Sequence, residues 1–252
     1  TAGTCVIAAD QAAGGNYAAA AQVTQNVTIN KANQATLTAT ATPSTLTIGQ
    51  TSALATTGGS GTGAVTFSPN NSNCTIVGST LTAALAGGCT VTATKAADTN
   101  YNVATGTVNV TTTLIPQTIS FGTNPGPLTY APLGTFTVTA TGGASGNPVT
   151  FSSTTSGICT TGGTNGATVT IQTAGTCIIA ADQAGGGSYA AAPQVTQSIV
   201  INKASQATLN ATATPSTLTI GQTSALATTG GTGTGAVTFG SNNGNCTIVG
   251  ST

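Results

Sequence analysis

The first eighty residues of this chain come back as its last eighty. Residues 1–80 recur as 173–252 without a gap, and 67 of the 80 positions are identical. Self-similarity over that length constrains the fold before any residue type is weighed, because the two copies must fold alike. Most of the 13 differences are mild, such as Val6/Ile178, Asn16/Ser188, Asn33/Ser205 and Ser60/Thr232, and they are spread over the unit. Near-identity of this kind points to recent duplication in a tandem array.

A weaker repeat lies inside the long one. Residues 57–67, TGGSGTGAVTF, match residues 141–151, TGGASGNPVTF, at an offset of 84. Residues 86–101, AGGCTVTATKAADTNY, match AGTCIIAADQAGGGSY at 174–189 at an offset of 88, which sets Cys89 on Cys177 and Tyr101 on Tyr189. The two offsets sum to the 172-residue unit, so two domain types alternate, each about 85 residues long. That length suits a small sandwich of about seven strands.

Strands follow from alternation. The chain holds 58 threonines, with Val and Ile beside them, and these β-branched types suit a pleated surface. Apolar residues alternate with Thr instead of recurring every three or four positions, so no helix is expected. The second domain is expected to place strands at 117–121, 135–141, 149–153, 167–172, 177–181 and 195–202. The first gives 35–40, 52–56, 64–68, 74–77, 89–94 and 107–112. Glycine-rich stretches at 58–63 and 142–146 read as turns between them. Junctions fall at Asn30-Lys31-Ala32, near Leu114-Ile115-Pro116 and at Asn202-Lys203-Ala204. Residues 1–32 then read as the C-terminal half of one domain, 33–115 as a first-type domain, 116–204 as a second-type domain and 205–252 as the N-terminal half of another first-type domain.

The segments QTISF (117–121), PVTFSS (148–153) and AGTCIIAADQAGGGSYAAAPQVTQSIVINKA (174–204) resemble the bacterial immunoglobulin-like repeats of giant secreted and surface proteins. The resemblance covers essentially the whole chain, more loosely in the first-type domain. It implies an all-β fold of tandem immunoglobulin-like β-sandwich domains arranged end to end, used as a spacer, stalk or adhesin segment. It carries no catalytic residues to transfer.

Charge excludes most chemistry. Only six residues are charged: Lys31, Lys95 and Lys203 against Asp10, Asp98 and Asp182, for a net charge of zero. His, Arg, Glu, Met and Trp are absent. Three scattered lysines cannot displace the counterions of a nucleic acid. General acid–base catalysis has almost none of its usual side chains to draw on, so the chain reads as no enzyme and no cofactor is expected. A zinc site lacks His and CxxC spacing, and a calcium site lacks clustered carboxylates. The Lys–Asp pairs suggest an isopeptide crosslink, but the buried acid that reaction needs has no Glu to supply it. Gly58–Gly63 and Gly230–Gly235 lack the Lys and Ser/Thr context of a phosphate loop. Thr38-Ala39-Thr40-Ala41-Thr42 looks like an ice-binding array, yet its alternation is that of any half-buried strand and its period is far too long. The longest apolar runs fall far short of a membrane span.

The six cysteines are the main candidate site residues. Cys74 and Cys89 lie 15 apart, and Cys159 and Cys177 lie 18 apart at the equivalent place. One disulfide per domain is expected, Cys74–Cys89 and Cys159–Cys177, with free buried thiols as the alternative. Cys5 and Cys246 are the repeat copies of Cys177 and Cys74, and are expected to be unpaired within these residues. Disulfides imply an oxidising, extracellular or cell-surface setting. Tyr17, Tyr101 and Tyr189 recur before the last strand and are expected to close the end of the core, each hydroxyl reaching a backbone partner. Asp10, Lys31, Asp182 and Lys203 are expected at solvated loops and linkers. Sequons at Asn26, Asn73, Asn109 and Asn210 leave glycosylation open.

Function is then read from what the surface lacks. Sheet edges are usually blunted by charge, bulges or coverings, and neutral surfaces do not repel one another. The expectation is a structural segment of a long extracellular fibre, stalk or filament whose partners are copies of itself, end to end or lateral. The alternative is a multivalent adhesin binding surface glycans or a host protein. Both chain ends fall inside domains and no initiator Met or signal peptide is visible. A stretch of a longer array is expected, with half-domains completing each other between subunits as the rival.

Overall fold

The structure, a computed structural model, describes residues 1–250. By contacts the chain separates into two compact units. One is Thr1–Ser120 with Ala140–Val149 and Asp182–Val195; the other is Phe121–Thr139, Thr150–Ala181 and Thr196–Thr252. Among the described residues the only helical element is a 3-10 turn at Thr164–Gly166.

The chain opens with a hairpin of β1 (Gly3–Ala9) and β2 (Val23–Ile29), antiparallel with Gly3 opposite Ile29. The next eight strands are β3 (Leu37–Thr42), β4 (Thr45–Thr47), β5 (Thr51–Gly58), β6 (Val65–Pro69), β7 (Cys74–Val77), β8 (Thr80–Ala83), β9 (Gly87–Lys95) and β10 (Ala104–Thr113). They build two four-stranded sheets in the orders β3-β5-β8-β7 and β4-β10-β9-β6. Only β4 runs parallel to its neighbour, with Thr45 opposite Thr111 of β10. The alternation of the sequence decides which face is buried. On β9, Cys89, Val91 and Ala93 point inward, while Thr90, Thr92 and Thr94 point outward opposite Asn109, Thr107 and Thr105. The core between the sheets takes Leu46, Cys89, Val91 and Val110 from one and Leu54, Cys74, Leu81 and Ala83 from the other. Removing each larger aliphatic side chain from water contributes about 1.5–3 kcal/mol.

A second sandwich repeats the plan with shorter strands. These are β11 (Ser120–Phe121), β12 (Leu128–Thr129), β13 (Thr135–Thr137), β14 (Ala140–Thr141), β15 (Val149–Ser153), β16 (Cys159–Gly162), β17 (Thr168–Ile171), β18 (Gly175–Gln183) and β19 (Val195–Asn202). The sheets are ordered β12-β19-β18-β15 and β13-β17-β16, with β11 and β14 paired as a short ribbon. Here β12 is the strand parallel to its neighbour, Leu128 opposite Ile201, as β4 is in the first sandwich. The core joins Cys177, Ile179, Ile199 and Ile201 to Val138, Cys159, Val169 and Ile171. Two sheets packed over one apolar layer, with this strand order, make each an immunoglobulin-like β-sandwich. The chain continues into β20 (Leu209–Thr214) and β21 (Ala225–Gly230), paired with Leu209 opposite Gly230 just as Leu37 lies opposite Gly58.

Expected strands of five or more residues such as 149–153 and 195–202 fall where the sequence puts them, and so does the shorter 74–77. Within the two sandwiches the additional strands are β4, β8, β12 and β16, each of four residues or fewer. So short an alternation stands out poorly, and β8 is separated from β7 only by the turn Gly78-Ser79, where Gly78 has φ 63°. The expected strand at 135–141 is interrupted into β13 and β14.

The first sandwich and the second supply a buried and an exposed aliphatic side chain for comparison. Ile179 of β18 is 0% exposed, whereas Val77 of β7 is 82% exposed. Ile179→Ala is expected to lower stability by about 3 kcal/mol and Val77→Ala by less than about 0.5 kcal/mol in denaturant unfolding. Equal losses would contradict the burial described.

Candidate functional site

Each sandwich carries one disulfide between its two sheets. Cys74 of β7 is joined to Cys89 of β9 with their Cα atoms 6.2 Å apart, and Cys159 of β16 to Cys177 of β18 at 5.7 Å. The positions follow from the registers. Cys74 lies opposite Ala83 and Cys89 opposite Val110, so both sulfurs face the same apolar layer. All four cysteines are buried. Around Cys159 the hydroxyls of Ser153 and Thr155 approach the sulfur at 3.3 and 3.7 Å. Cys5 on β1 and Cys246 beyond β21 are free and exposed.

A second feature, which sequence reasoning missed, holds the glycine-rich loops. In the first sandwich the Gln34 amide donates to the carbonyls of Ala96 (3.3 Å) and Asn102 (2.7 Å), and its oxygen accepts from the Gly61 N–H (3.1 Å). In the second, Gln117 donates to the Ala184 carbonyl (3.2 Å) and accepts from the Ser145 N–H (3.1 Å). Gln183 completes the clamp, donating to the Gly143 and Asn147 carbonyls (3.2 and 2.8 Å) and accepting from the Gly143 N–H (2.7 Å). Gln117 and Gln183 are buried, so their satisfied amides matter: an unpaired one would cost its full desolvation. A Cβ at Gly143 would stand 2.4 Å from that of Gln117, which is why glycine is required there. The signal was available in the sequence, because Gln34, Gln117 and Gln206 each follow two residues after a junction residue, Ala32, Ile115 or Ala204.

Those junction residues are pinned by backbone bonds. The Ala32 N–H donates to the Asn100 carbonyl (2.8 Å), and Ala32 accepts from the Asn102 N–H (2.9 Å). Ile115 does the same with Ser188 and Ala190, at 2.8 and 2.9 Å. Ala32 thus bridges to Tyr101, and Ile115 to Tyr189. The tyrosines differ from their expected role: the bonds that hold these positions are made by the loop backbone, and the half-buried rings of Tyr101 and Tyr189 lie outside the core clusters. Tyr17, in the same turn after β1, is exposed. A tight turn that closes on its own backbone explains the recurrence, with the N–H and carbonyl of Tyr189 exchanging bonds with Gly186.

The six charges occupy strand ends, loops and linkers. Lys31 and Lys203 are exposed in linkers, and Asp10 follows β1. Asp182 lies within β18 rather than in a loop. Its place next to the last residue of that strand leaves the carboxylate near solvent, where the Gln194 amide donates to both oxygens at 2.9 and 3.0 Å. Lys95 ends β9 and donates to the Gly59 carbonyl at 3.3 Å. Asp98 is the most constrained. It accepts from the Thr62 N–H (2.7 Å) and hydroxyl (3.2 Å) and from the N–H groups of Asn100 and Tyr101 (both 2.8 Å). The Thr62 N–H first, then Asn100, hold its pKa at about 2 against an ordinary 3.8.

The sheet edges carry no charge at all. The outermost strands of the first sandwich, β3, β7, β4 and β6, read LTATAT, CTIV, TLT and VTFSP. Those of the second, β12, β15, β13 and β16, read LT, VTFSS, TFT and CTTG. The outer face of β6-β9-β10 is hydroxyl and amide only, with Thr66 and Ser68 opposite Thr94 and Thr92. Thr90 donates to Asn109 across this face at 2.8 Å. Among the described residues no three His, Cys, Asp or Glu side chains gather as a metal site, and no helix is long and apolar enough to cross a membrane.

No family model matches the chain, and no curated protein matches it. Solved structures do. The chain is similar to protocadherin gamma B2 extracellular cadherin domains 3–6 at 12% identity and TM-score 0.32, covering 79% of this chain and 58% of that one. It therefore spans less than two thirds of that protocadherin segment. It is also similar to mouse cadherin-23 EC22–24 (14%, TM-score 0.30, 80% and 74%) and to murine CEACAM1b (13%, TM-score 0.29, 67% and 100%). The immunoglobulin-like assignment stands on the strand orders and registers given above.

Two outcomes are expected. Replacing Cys74 and Cys89 together by Ser should cost roughly 3 kcal/mol in denaturant unfolding, since the bridge closes a short loop in the unfolded chain. Asp98 has a lowered folded pKa, so its contribution is complete above pH about 4 and is lost as pH falls through about 2. Protection factors at Thr62 and Tyr101, taken against the intrinsic exchange rate at each pH, should fall over that window, and Asp98→Asn should remove that fall; an unchanged profile in the variant would contradict the clamp.

Proposed function

We propose that this chain is a structural segment of a long extracellular fibre or stalk, built of tandem immunoglobulin-like domains of the kind found in giant bacterial surface proteins. Residues 33–115 and 116–204 are its two domain types, with 1–32 and 205–252 belonging to neighbouring domains of the array. The cysteines 74, 89, 159 and 177 staple the domains for an oxidising exterior, where no cellular machinery restores an unfolded unit. Its partners are other copies of the chain, meeting through uncharged edges and Thr-lined faces.

One observation carries this reading: the outermost strands of both sandwiches lack any charged residue. Edges without Lys, and surfaces without net charge, neither repel nor steer, so contact between copies is limited only by shape and desolvation. The near-identity of successive units supports a mechanical part used repeatedly. The adhesin reading has one observation of its own, an open groove of about 600 Å³ that Tyr130, Lys203, Gln206 and Thr232 help to line. An aromatic ring beside amide and hydroxyl groups suits a sugar, and glycan binding that disappears in Tyr130→Ala would move the preference to that reading.

Light scattering across salt tests the fibre reading. Association should be unchanged within about twofold from low ionic strength to about 1 M, where the Debye length has fallen to about 3 Å. Dissolution of the assemblies by salt would reject contact through neutral surfaces.

A further inference from the structure

We infer, taking the fibre reading above as the source of the load, that the two sandwiches resist tension unequally. Under a common pull the second-type domain opens first, and its disulfide limits how far it opens. The strand pair β4–β10 and its counterpart β12–β19 are both parallel. Thr45 at the start of β4 lies opposite Thr111, and Thr47 at its end lies opposite Thr113. A pull through the chain ahead of β4 and the chain beyond β10 slides these strands past each other and loads all their bonds together. In an antiparallel hairpin the two ends lie side by side, and the same pull breaks one bond at a time. The second sandwich repeats the arrangement, with Leu128 opposite Ile201 and Thr129 opposite Asn202. Forced opening is governed by the barrier to breaking such bonds.

The bonds along the load path differ between the domains. In the first sandwich β3 lies against β5 along six residues, from Leu37 opposite Gly58 to Thr42 opposite Ala53, and β4 lies against β10 along three. Two flanking bonds extend the parallel pair: the Thr111 N–H donates to the Ser44 carbonyl (2.9 Å) and the Ile48 N–H to the Thr113 carbonyl (3.0 Å). In the second sandwich β11 and β14 are two residues each, and β12 lies against β19 along two. The Gly122 N–H donates to the Thr139 carbonyl and the Tyr130 N–H to the Asn202 carbonyl, both at 2.8 Å. Proline is the cause of the difference. Pro116, Pro125, Pro127 and Pro132 each lack an N–H in the entry segment of the second domain, where the first has Pro43 alone. Side chains replace part of what is lost: the Asn124 amide donates to the Ser198 carbonyl (2.8 Å) and the Gln197 amide to the Gly122 carbonyl (3.2 Å). Both bonds are exposed, so water competes for them.

The disulfides set the other limit. Opening the second sandwich extends the chain before Cys159 and after Cys177, while the stretch between them stays closed. That stretch spans 18 residues, which at roughly 3.5 Å each withholds about 60 Å of extension. Cys74–Cys89 spans 15 and withholds about 50 Å in the first sandwich. A fibre of alternating types therefore lengthens by opening its weaker domains while the stronger ones stay folded. Each opened domain keeps a covalently closed segment.

The test stretches the full chain by its two ends in single-molecule force spectroscopy without reductant. A weak step and a strong step are expected, separated in force by more than the spread of either. Cys159→Ser with Cys177→Ser should lengthen the weak step by about 60 Å and leave the strong one unchanged. Cys74→Ser with Cys89→Ser should lengthen the strong step by about 50 Å and leave the weak one unchanged. Asn124→Ala with Gln197→Ala keeps both disulfides and should lower the force of the weak step alone, which assigns that step even where a serine variant does not fold. Steps of equal force, a weak step lengthened by the Cys74 and Cys89 changes, or an Asn124 and Gln197 variant that lowers the strong step or neither would each overturn the inference. Dissolution of assemblies by salt rejects the fibre reading and leaves these single-chain steps where they are, so the two failures are told apart.

Discussion

Every other property of these sandwiches depends on apolar contact across a layer only one side chain deep from each sheet. The contributors are small. Leucines, valines, isoleucines and alanines fill the cores, with Phe67 packed at the margin of one and Phe121 and Phe151 at the margin of the other, their rings 5.9 Å apart. A thin aliphatic layer leaves a modest surplus over the entropy of ordering the chain. The inter-sheet disulfide answers that deficit at its centre, tying a middle strand of one sheet to an edge strand of the other. Removing freedom from the unfolded chain stabilises the fold without asking the thin layer to take a larger side chain.

The same scarcity of means shapes the loops. A chain with six charges holds its glycine-rich turns largely by neutral carboxamides that both donate and accept, with Lys95 and Asp98 beside Gln34 in the first sandwich. The two sandwiches make the point by substitution. Lys95 reaches the Gly59 carbonyl in the first, and Gln183, at the matching end of the matching strand, reaches the Gly143 carbonyl in the second. The ammonium is therefore dispensable at this position. Buried amides that both donate and accept also specify one loop conformation, since a slipped loop would strand a desolvated donor. Sparse charge is then compatible with a defined structure, while it leaves the outer surfaces free of the repulsion that normally keeps β proteins apart.

How much of this was legible in the sequence depended on the range over which each signal acts. Alternation over five or more residues, as in Val195–Asn202, places a strand because every second side chain must choose the same face. Cys74–Val77 was legible for the same reason, helped by the matching copy at the other end of the chain. The strand Thr45–Thr47 was not, since three residues carry no period and its parallel pairing with β10 is settled by a partner more than sixty residues away. The glutamine clamps were hidden because Gln is read as a surface residue, and only folding brings Gln117 against the loop it holds. The tyrosines misled in the opposite direction. Their recurrence is real, and what the structure shows recurring is a backbone turn that anchors the junction residue.

The repeat finally shows how much of the pairing the local sequence settles. Leu37 lies opposite Gly58, and one repeat on Leu209 lies opposite Gly230, so the two copies of this strand pair adopt one register. The exchange of Thr38 for Asn210 between them leaves that register unchanged. A slip of one residue would turn Leu37, Ala39 and Ala41 to the outer face and Thr38, Thr40 and Thr42 into the core, so the alternation itself penalises every odd register. What fixes the register is therefore carried by the strand's own residues, and a substitution is tolerated wherever it keeps the polar side chain on the polar face.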